Sequence, residues 1–291
     1  MTVLMTDARG MLGATAQQAC LGGELSDTLF ADDTLIISSR GDHIEEYMAA
    51  VEEKGRDYGL EVHWGKVHLI CVGAASTVRA PTGNAIPQEA SMIYLGATIH
   101  TDGKFACEIS RKIGAATAEF KALQPVWKNA HLSKKRKLYL FSCLILSKLR
   151  YAVASAWLLK GELRRLDGFH ARCLRKMLHI PPSFISRVSN EQVRHIAGQE
   201  AFSKMVRAAQ LKLLGQVLTD PSKRILKEVA FHGDSLVPEA EAFVRNVGRP
   251  RDNWTTQLTR IMRRAAGSLQ EWLRISSSMR DWNEVAARVI G

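Results

Sequence analysis

The spacing of apolar residues changes partway along the chain and predicts two kinds of structure. In the first hundred residues, short apolar runs separated by turn residues are typical of strands, with helical repeats between them. The predicted elements are a short helix over 2–16, a β-hairpin over 25–39, a helix over 42–58 capped by Asp42, and strands at 60–64, 67–72 and 92–96. This mixture predicts an α+β fold.

From Lys104 onward, apolar residues recur at spacings of three and four, which predicts helices. Ser133 is a candidate N-cap for a helix that runs through 138–159. The other predicted helices cover 109–123, 162–178, 190–198, 201–218, 221–231, 254–266 and 278–289. We therefore predict three domains, at 1–103, 104–180 and 181–291, of which the last two are all-α.

Charge is distributed unevenly over these domains. The 291-residue chain has a net charge of +11, yet residues 1–103 carry 6 Lys or Arg against 14 Asp or Glu. Residues 104–179 carry 17 Lys or Arg against only 4 Asp or Glu. A strongly basic helical region next to an acidic one indicates polyanion binding, although Lys and Arg also serve simply to solvate helix surfaces.

The predicted phosphate contacts come from this basic region. They are Lys134, Lys135, Arg136, Lys137, Lys148, Arg150, Lys160, Arg164, Arg165, Arg172, Arg175 and Lys176. Trp127, Tyr139 and Trp157 lie between these charges and are candidates for stacking on bases. At helical spacing, however, aromatic residues are more often part of the core, which is the interpretation we favour for these three.

The cysteines and the apolar segments bear on the compartment. The five cysteines are widely spaced, with no Cys-x-x-Cys pair and no zinc-finger spacing to histidine, which favours reduced thiols inside the cell. No signal-peptide pattern is evident at the N-terminus. The most apolar stretch, 138–159, contains Lys148 and Arg150, which favours a buried helix over a membrane span. We therefore expect an intracellular protein, not secreted, in cytoplasm or nucleus.

The hairpin at 25–39 carries the strongest candidate for chemistry. Phe30, Ala31, Asp32 and Asp33 form an aromatic-x-Asp-Asp string at its tip. Adjacent carboxylates repel each other unless a cation neutralises them, and a hard divalent ion such as Mg²⁺ prefers such oxygen ligands. A solvated turn is the alternative, because Asp is also a common turn residue.

In order and spacing, these motifs resemble the C-terminal portion of a non-LTR (LINE-type) retrotransposon reverse transcriptase. The resemblance extends over about residues 1–260 and involves five segments. They are Phe30-Ala31-Asp32-Asp33, Gly59 to Lys66, Tyr94-Leu95-Gly96 followed by Asp102-Gly103, the helix at 108–127 with Leu132-Ser133-Lys134, and Gly248-Arg249-Pro250-Arg251 before Trp254. It implies a partial polymerase palm followed by a basic helical thumb and a helical C-terminal extension.

The resemblance also implies roles for individual residues. Asp32 would be a ligand of catalytic Mg²⁺, and Asp33, the other candidate metal-site carboxylate, would shape the local field. Lys66 would lie near the incoming dNTP, while Phe30 would pack the hairpin under the primer terminus or belong to the core. The partners would be an RNA template and a DNA primer, bound through the basic helices.

One departure from the family pattern concerns the metal site. The family holds its two metals with the hairpin aspartate and a second aspartate on an upstream strand, which would precede residue 1. We therefore expect the chain alone to be inactive as a polymerase. Three functions remain open: a fragment of an RNA-directed DNA polymerase, a non-catalytic nucleic-acid-binding module, and a retroelement relic without function.

Overall fold

The computed structural model describes residues 1–73, 75–233, 235–242 and 253–290. The fold is mostly helical, with two small antiparallel sheets, which confirms the α+β class in its broad sense. The chain divides into two compact units, Met1–Cys107 and Glu108–Gly291. The first boundary lies close to the predicted one at 103/104. The predicted division at 180/181 falls inside the second unit and does not separate two compact parts.

The first unit is built around two hairpins and three helices. Its elements are α1 (Thr2–Gly10), α2 (Ala14–Leu21), β1 (Leu25–Phe30), β2 (Asp33–Ser38), α3 (Gly41–Asp57), β3 (Ser91–Tyr94) and β4 (Ala97–His100). Strands β1 and β2 pair antiparallel with Phe30 opposite Asp33, so the predicted hairpin is confirmed. Leu25 on β1 is buried together with Leu4, Met5 and Tyr47 from the helices, because the apolar stripes of α1 and α3 cover one face of the hairpin.

Two predictions about the first unit are wrong. The segment 60–72 does not form a pair of strands: Trp64–Lys66 is a 3-10 turn, and Leu69 makes only an isolated bridge to Gln88. Val67 and Leu69 pack against a small apolar cluster instead of pairing with each other. The N-cap of α3 is Arg40 rather than Asp42, whose carboxylate in the first turn binds the Arg40 guanidinium.

The regular secondary structure of the second unit is helical in its described residues, apart from an isolated bridge between Phe231 and Pro238. Its helices are α4 (Ala106–Ala122), α5 (Gln124–Lys128), α6 (Lys134–Phe141), α7 (Ser147–Arg150), α8 (Lys160–Met177), α9 (Ser183–Ser186), α10 (Asn190–Ala197), α11 (Phe202–Thr219), α12 (Arg224–Ala230), α13 (Glu239–Ala242), α14 (Trp254–Ala266), α15 (Leu269–Ser277) and α16 (Met279–Ile290). Ser133 caps α6 by accepting a hydrogen bond from the Arg136 amide, as predicted. The helix expected through 159 instead passes through a π-helical turn at Ser142–Leu146 and ends with α7 at Arg150.

Two aromatic clusters hold the second unit together. Phe120, Trp127 and Phe141 stack with His170 and Phe202 around α8. The other cluster forms where α16 crosses α11 and α15, with Trp272 and Trp282 at its centre. There the crossing depends on Gly215, because a Cβ at this position would stand 2.5 Å from the Trp282 ring. No helix in the described ranges is long and apolar enough to cross a lipid bilayer.

Candidate nucleic-acid interface

Helix α8 separates its residues into an apolar face and a cationic face. At its N-terminus, where backbone N–H groups lack partners within the helix, the Glu162 carboxylate accepts a hydrogen bond from the Leu159 amide at 2.7 Å. Leu166, Phe169 and Met177 point into the core. The opposite face is exposed and is here named the α8 basic face; it consists of Lys160, Arg164, Arg165, Arg172 and Lys176. At a rise of about 1.5 Å per residue, these cations extend over roughly 24 Å.

The acidic residues of α8 do not neutralise this face. Glu162 is buried at the N-terminus, and Asp167 accepts a hydrogen bond from the Ser203 amide at 2.8 Å. Arg165 donates to Ser110 Oγ at 2.8 Å. In the part of the chain that the structure describes, the other four cations of the face have no hydrogen-bond or ion-pair partner within the protein. Their charges are therefore available to an external anion.

Two predicted phosphate contacts are wrong, because the side chains are buried. Arg175 is only 7% exposed and donates to the carbonyl oxygens of Pro181 and Val188 and to Asn190 Oδ1. It therefore fastens the loop after α8 onto the helix. Lys137 is 8% exposed, on the inner side of α6. Both residues contribute to the positive charge of the sequence but not to a surface that meets a ligand.

Helix α6 adds a smaller exposed group. Lys134, Lys135 and Arg136 are all exposed, and Lys134 Nζ is held by the Ile196 carbonyl. Tyr139 lies one turn after Lys135 and is 67% exposed, so its assignment to the core is wrong. An exposed ring beside two cations has the chemistry needed for stacking on a base. Tyr139 therefore belongs with the candidate interface.

The other aromatic and basic candidates are either at least partly buried or exposed but in contact with another side chain. Trp127 is 3% exposed and its indole donates to the Phe120 carbonyl at 2.8 Å, which confirms a core position. Trp157 is half-buried. Arg150 is exposed but lies 3.8 Å from Met205 Sδ, and exposed Lys148 is ion-paired with Glu119. These residues are less available to a phosphate than those of the α8 basic face.

The inner side of α8 carries a histidine and a cysteine, His170 and Cys173. His170 is fully buried between Phe141 and Phe202, and neither ring nitrogen has a hydrogen-bond partner among the described residues. Burial lowers the pKa of His170 to about 4. Burial also raises the pKa of the nearby Cys173 thiol to about 12. Near neutral pH both groups are uncharged, so they contribute to packing and not to binding.

The hairpin in the first unit presents its two aspartates to solvent. Asp32 occupies the two-residue turn and Asp33 starts β2, and both are exposed. Ala31 has φ +55°, a left-handed conformation that disfavours side chains with a Cβ. Phe30 is 63% exposed, which rules out the core alternative for this residue. Lys66 is exposed in its 3-10 turn, and among the described residues no hydrogen bond or ion pair joins it to either aspartate.

The aspartate pair by itself does not fit a two-metal centre. Among the described residues, no three His, Cys, Asp or Glu side chains converge to hold a metal ion. Asp27, the acid closest in sequence on the same hairpin, is turned inward, where Arg9 pairs with it and the Tyr47 hydroxyl donates to it at 3.1 Å. Asp7 accepts a hydrogen bond from Tyr58. Neither acid is available as a further metal ligand in this arrangement.

Comparison with known proteins does not assign the chain to a family. No protein-family model, curated protein or solved structure matches it. The segment Gly248-Arg249-Pro250-Arg251, which contributes to the family resemblance, lies outside the described residues. The candidate interface therefore stands on the geometry of α6 and α8.

Proposed function

We propose that this chain is a nucleic-acid-binding protein of the reverse-transcriptase type, in which the helical second unit binds the sugar-phosphate backbone. The observation that carries the proposal is the α8 basic face. Its cations are separated by one to two turns of the helix, apart from the adjacent pair Arg164 and Arg165, and no acid of α8 offsets them. Guanidinium and ammonium groups along a line match the regular charges of a nucleic-acid strand.

The expected mode of binding follows from the side chains. Arg and Lys contacts to phosphate do not read sequence, so affinity should depend weakly on sequence and strongly on salt. Tyr139 adds a ring on which a base can stack, and such stacking favours single-stranded segments. An RNA template with its DNA primer is the ligand class that the sequence resemblance implies.

For the hairpin, we propose a polymerase-type element that does not act by itself. Asp32 is the aspartate that the resemblance places next to a metal, yet among the described residues no group of three His, Cys, Asp or Glu side chains includes it. We expect residues 1–291 not to extend a primer in the presence of Mg²⁺ and dNTPs. Template-directed extension that is abolished by Asp32→Ala would contradict this expectation.

Binding to labelled oligonucleotides tests the α8 basic face. Fluorescence anisotropy would compare the wild-type chain with the triple variant Arg164→Gln/Arg172→Gln/Lys176→Gln. We expect affinity for single-stranded RNA at about 0.1 M salt to fall roughly 10- to 100-fold. The dependence of log affinity on log salt should become less steep by about 2, since three phosphate contacts are removed.

A matched control distinguishes the effect of the α8 basic face on binding from the effect of the net charge of the protein. Lys212→Gln/Arg280→Gln/Arg288→Gln removes the same charge from exposed positions on α11 and α16. We expect this control to bind within about twofold of wild type, because long-range attraction is screened at this salt concentration. Equal losses in the two triple variants, or binding that stays flat between low and moderate salt, would contradict the proposal. If the wild-type protein is not monodisperse, the result would favour the third alternative, a retroelement relic without function.

A further inference from the structure

A pocket of about 340 Å³ in the second unit lies along one side of α14. It is lined by Thr256, Thr259, Arg260, Arg263 and Arg264, with Glu241 from α13. The five α14 residues share one side of the helix, because they recur at helical spacing. The pocket uses none of the residues of the α8 basic face, so it is an independent feature of the molecule.

Two threonine hydroxyls in this pocket are buried without a partner. Thr256 is 2% and Thr259 is 1% exposed, and within the described residues neither Oγ1 atom makes a hydrogen bond. Leaving a buried hydroxyl unpaired is unfavourable, and two on adjacent turns call for an explanation. The Thr256 amide is already bonded to Asn253 Oδ1 at 2.8 Å, so the helix end is not the source of the site.

The three arginines are placed differently around these hydroxyls. Arg263 is held in position, since it donates to the Leu236 carbonyl at 2.8 Å and its guanidinium lies 5.3 Å from the centre of the Trp272 ring. Arg260 lies 3.8 Å from Glu241. Arg264 has no partner among the described residues. Three guanidiniums and one carboxylate leave a net charge of about +2.

We propose that this pocket binds a phosphate group. A phosphate dianion matches the net charge, and its oxygens accept hydrogen bonds from guanidinium and hydroxyl donors together. The unpaired threonines would supply two of these donors. Glu241 would lie away from the phosphate and keep Arg260 oriented. The group comes either from a free phosphate compound, such as a nucleotide, or from the phosphorylated end of a nucleic-acid strand.

Calorimetric titration of the full chain with inorganic phosphate tests the site directly, against sodium chloride of equal ionic strength. We expect saturable binding to wild type. Thr256→Val/Thr259→Val should weaken it about tenfold or more, and Arg264→Gln about three- to tenfold. The control Thr255→Val removes a neighbouring hydroxyl that does not line the pocket, and should leave the affinity within about twofold.

Further variants separate binding from folding. Valine replaces each threonine without a change of shape and removes an unpaired hydroxyl, so the midpoint of urea unfolding should stay the same or rise. Thr259→Ser keeps the hydroxyl and should retain phosphate binding. The triple variant Arg164→Gln/Arg172→Gln/Lys176→Gln should bind phosphate as wild type does, so failure of the α8 interface would leave this inference intact.

The source of the phosphate is decided by oligonucleotides that differ only in the 5′ group. Tighter binding of a 5′-phosphorylated strand than of the same strand with a 5′-hydroxyl, lost in Thr256→Val/Thr259→Val, would assign the site to strand ends. Equal binding of the two strands, together with saturable binding of a nucleoside 5′-monophosphate, would assign it to free nucleotides. No saturable binding of phosphate, or full binding in the threonine double variant, would overturn the proposal.

Discussion

The β1–β2 hairpin carries the aspartates that stand out in the sequence, and helix α8 carries a large share of its basic residues. In both elements, folding buries some of the charged side chains and leaves others exposed. On the hairpin, Asp27 is buried against Arg9 and Tyr47, whereas Asp33 is exposed. On α8, Arg175 is buried and Arg172 is exposed. Residues of the same type and the same charge thus have a structural role in one position and are exposed to possible ligands in another.

The difference has a physical origin in what each charge meets after folding. A buried charge loses water and must be compensated by hydrogen bonds and opposite charge, as Arg175 and Asp27 are. An exposed charge keeps its water and costs little, so it remains free for a ligand. The two kinds of residue should therefore respond in opposite ways when stability and binding are measured.

The largest effect is expected from the arginine pair on α8. Arg175→Met should lower the free energy of unfolding by about 3 kcal/mol, because it leaves buried carbonyls unpaired. Arg172→Met should change it by less than about 0.5 kcal/mol but weaken RNA binding. Urea unfolding followed by tryptophan fluorescence measures the stability of both variants, and fluorescence anisotropy measures their RNA binding. Equal destabilisation by the two variants would show that burial does not distinguish them.

The next effect concerns the hairpin. Asp27→Asn should lower the stability of the first unit by about 2–3 kcal/mol, since it removes the buried negative charge that pairs with Arg9 and one of the two oxygens that accept from Arg9 and from the Tyr47 hydroxyl, whose pKa burial raises. Asp33→Asn should stay within about 0.5 kcal/mol of wild type. Hydrogen exchange of the α1 and α3 amides reports this unit specifically. Unchanged protection in Asp27→Asn would contradict the structural role of this carboxylate.

A pH-dependent effect is expected from His170 on the inner side of α8. Its folded pKa of about 4 lies below the ordinary histidine pKa of 6.5, so the unfolded state binds the extra proton between these values. Stability should therefore be full above about pH 6.5 and fall as the pH is lowered towards 4. Between pH 7 and pH 5 the loss should be about 2 kcal/mol.

Two variants check the origin of this pH dependence. His170→Phe, which suits the stack with Phe141, should flatten the dependence in urea unfolding. His131→Gln alters an exposed histidine and should retain it. If His170→Phe keeps the full slope between pH 7 and pH 5, another group is responsible.

The smallest effect is expected at the hairpin turn. Ala31 has φ +55°, which glycine adopts without steric cost, so Ala31→Gly should raise the stability of the first unit by about 0.5 kcal/mol. Thr34→Gly, in the paired strand β2, should lower it by a similar amount. Hydrogen exchange of the hairpin amides would distinguish the two signs.

Much of the architecture was predictable from the sequence. The hairpin at 25–39, the helices at 42–58 and 162–178, and the Ser133 cap depend on local periodicity and local hydrogen bonds, and the structure has them. The conformation of 60–72, where two strands were expected, could not be predicted in this way. Val67 and Leu69 pack against an apolar cluster formed by residues from other parts of the chain. The α14 pocket was also missed, although the helical spacing of Thr256, Arg260 and Arg263 was a signal for it.

For this protein the sequence alone determined most of the helical segments, the strongly basic middle of the chain, and the two aspartates at a hairpin tip. Periodicity and composition are local properties, so they can be read without knowing what packs where. Only the tertiary structure decided that Arg164, Arg172 and Lys176 face solvent while Lys137 and Arg175 do not. Burial depends on contacts between residues far apart in the chain, and burial is what separates a charge that supports the fold from one that meets a ligand.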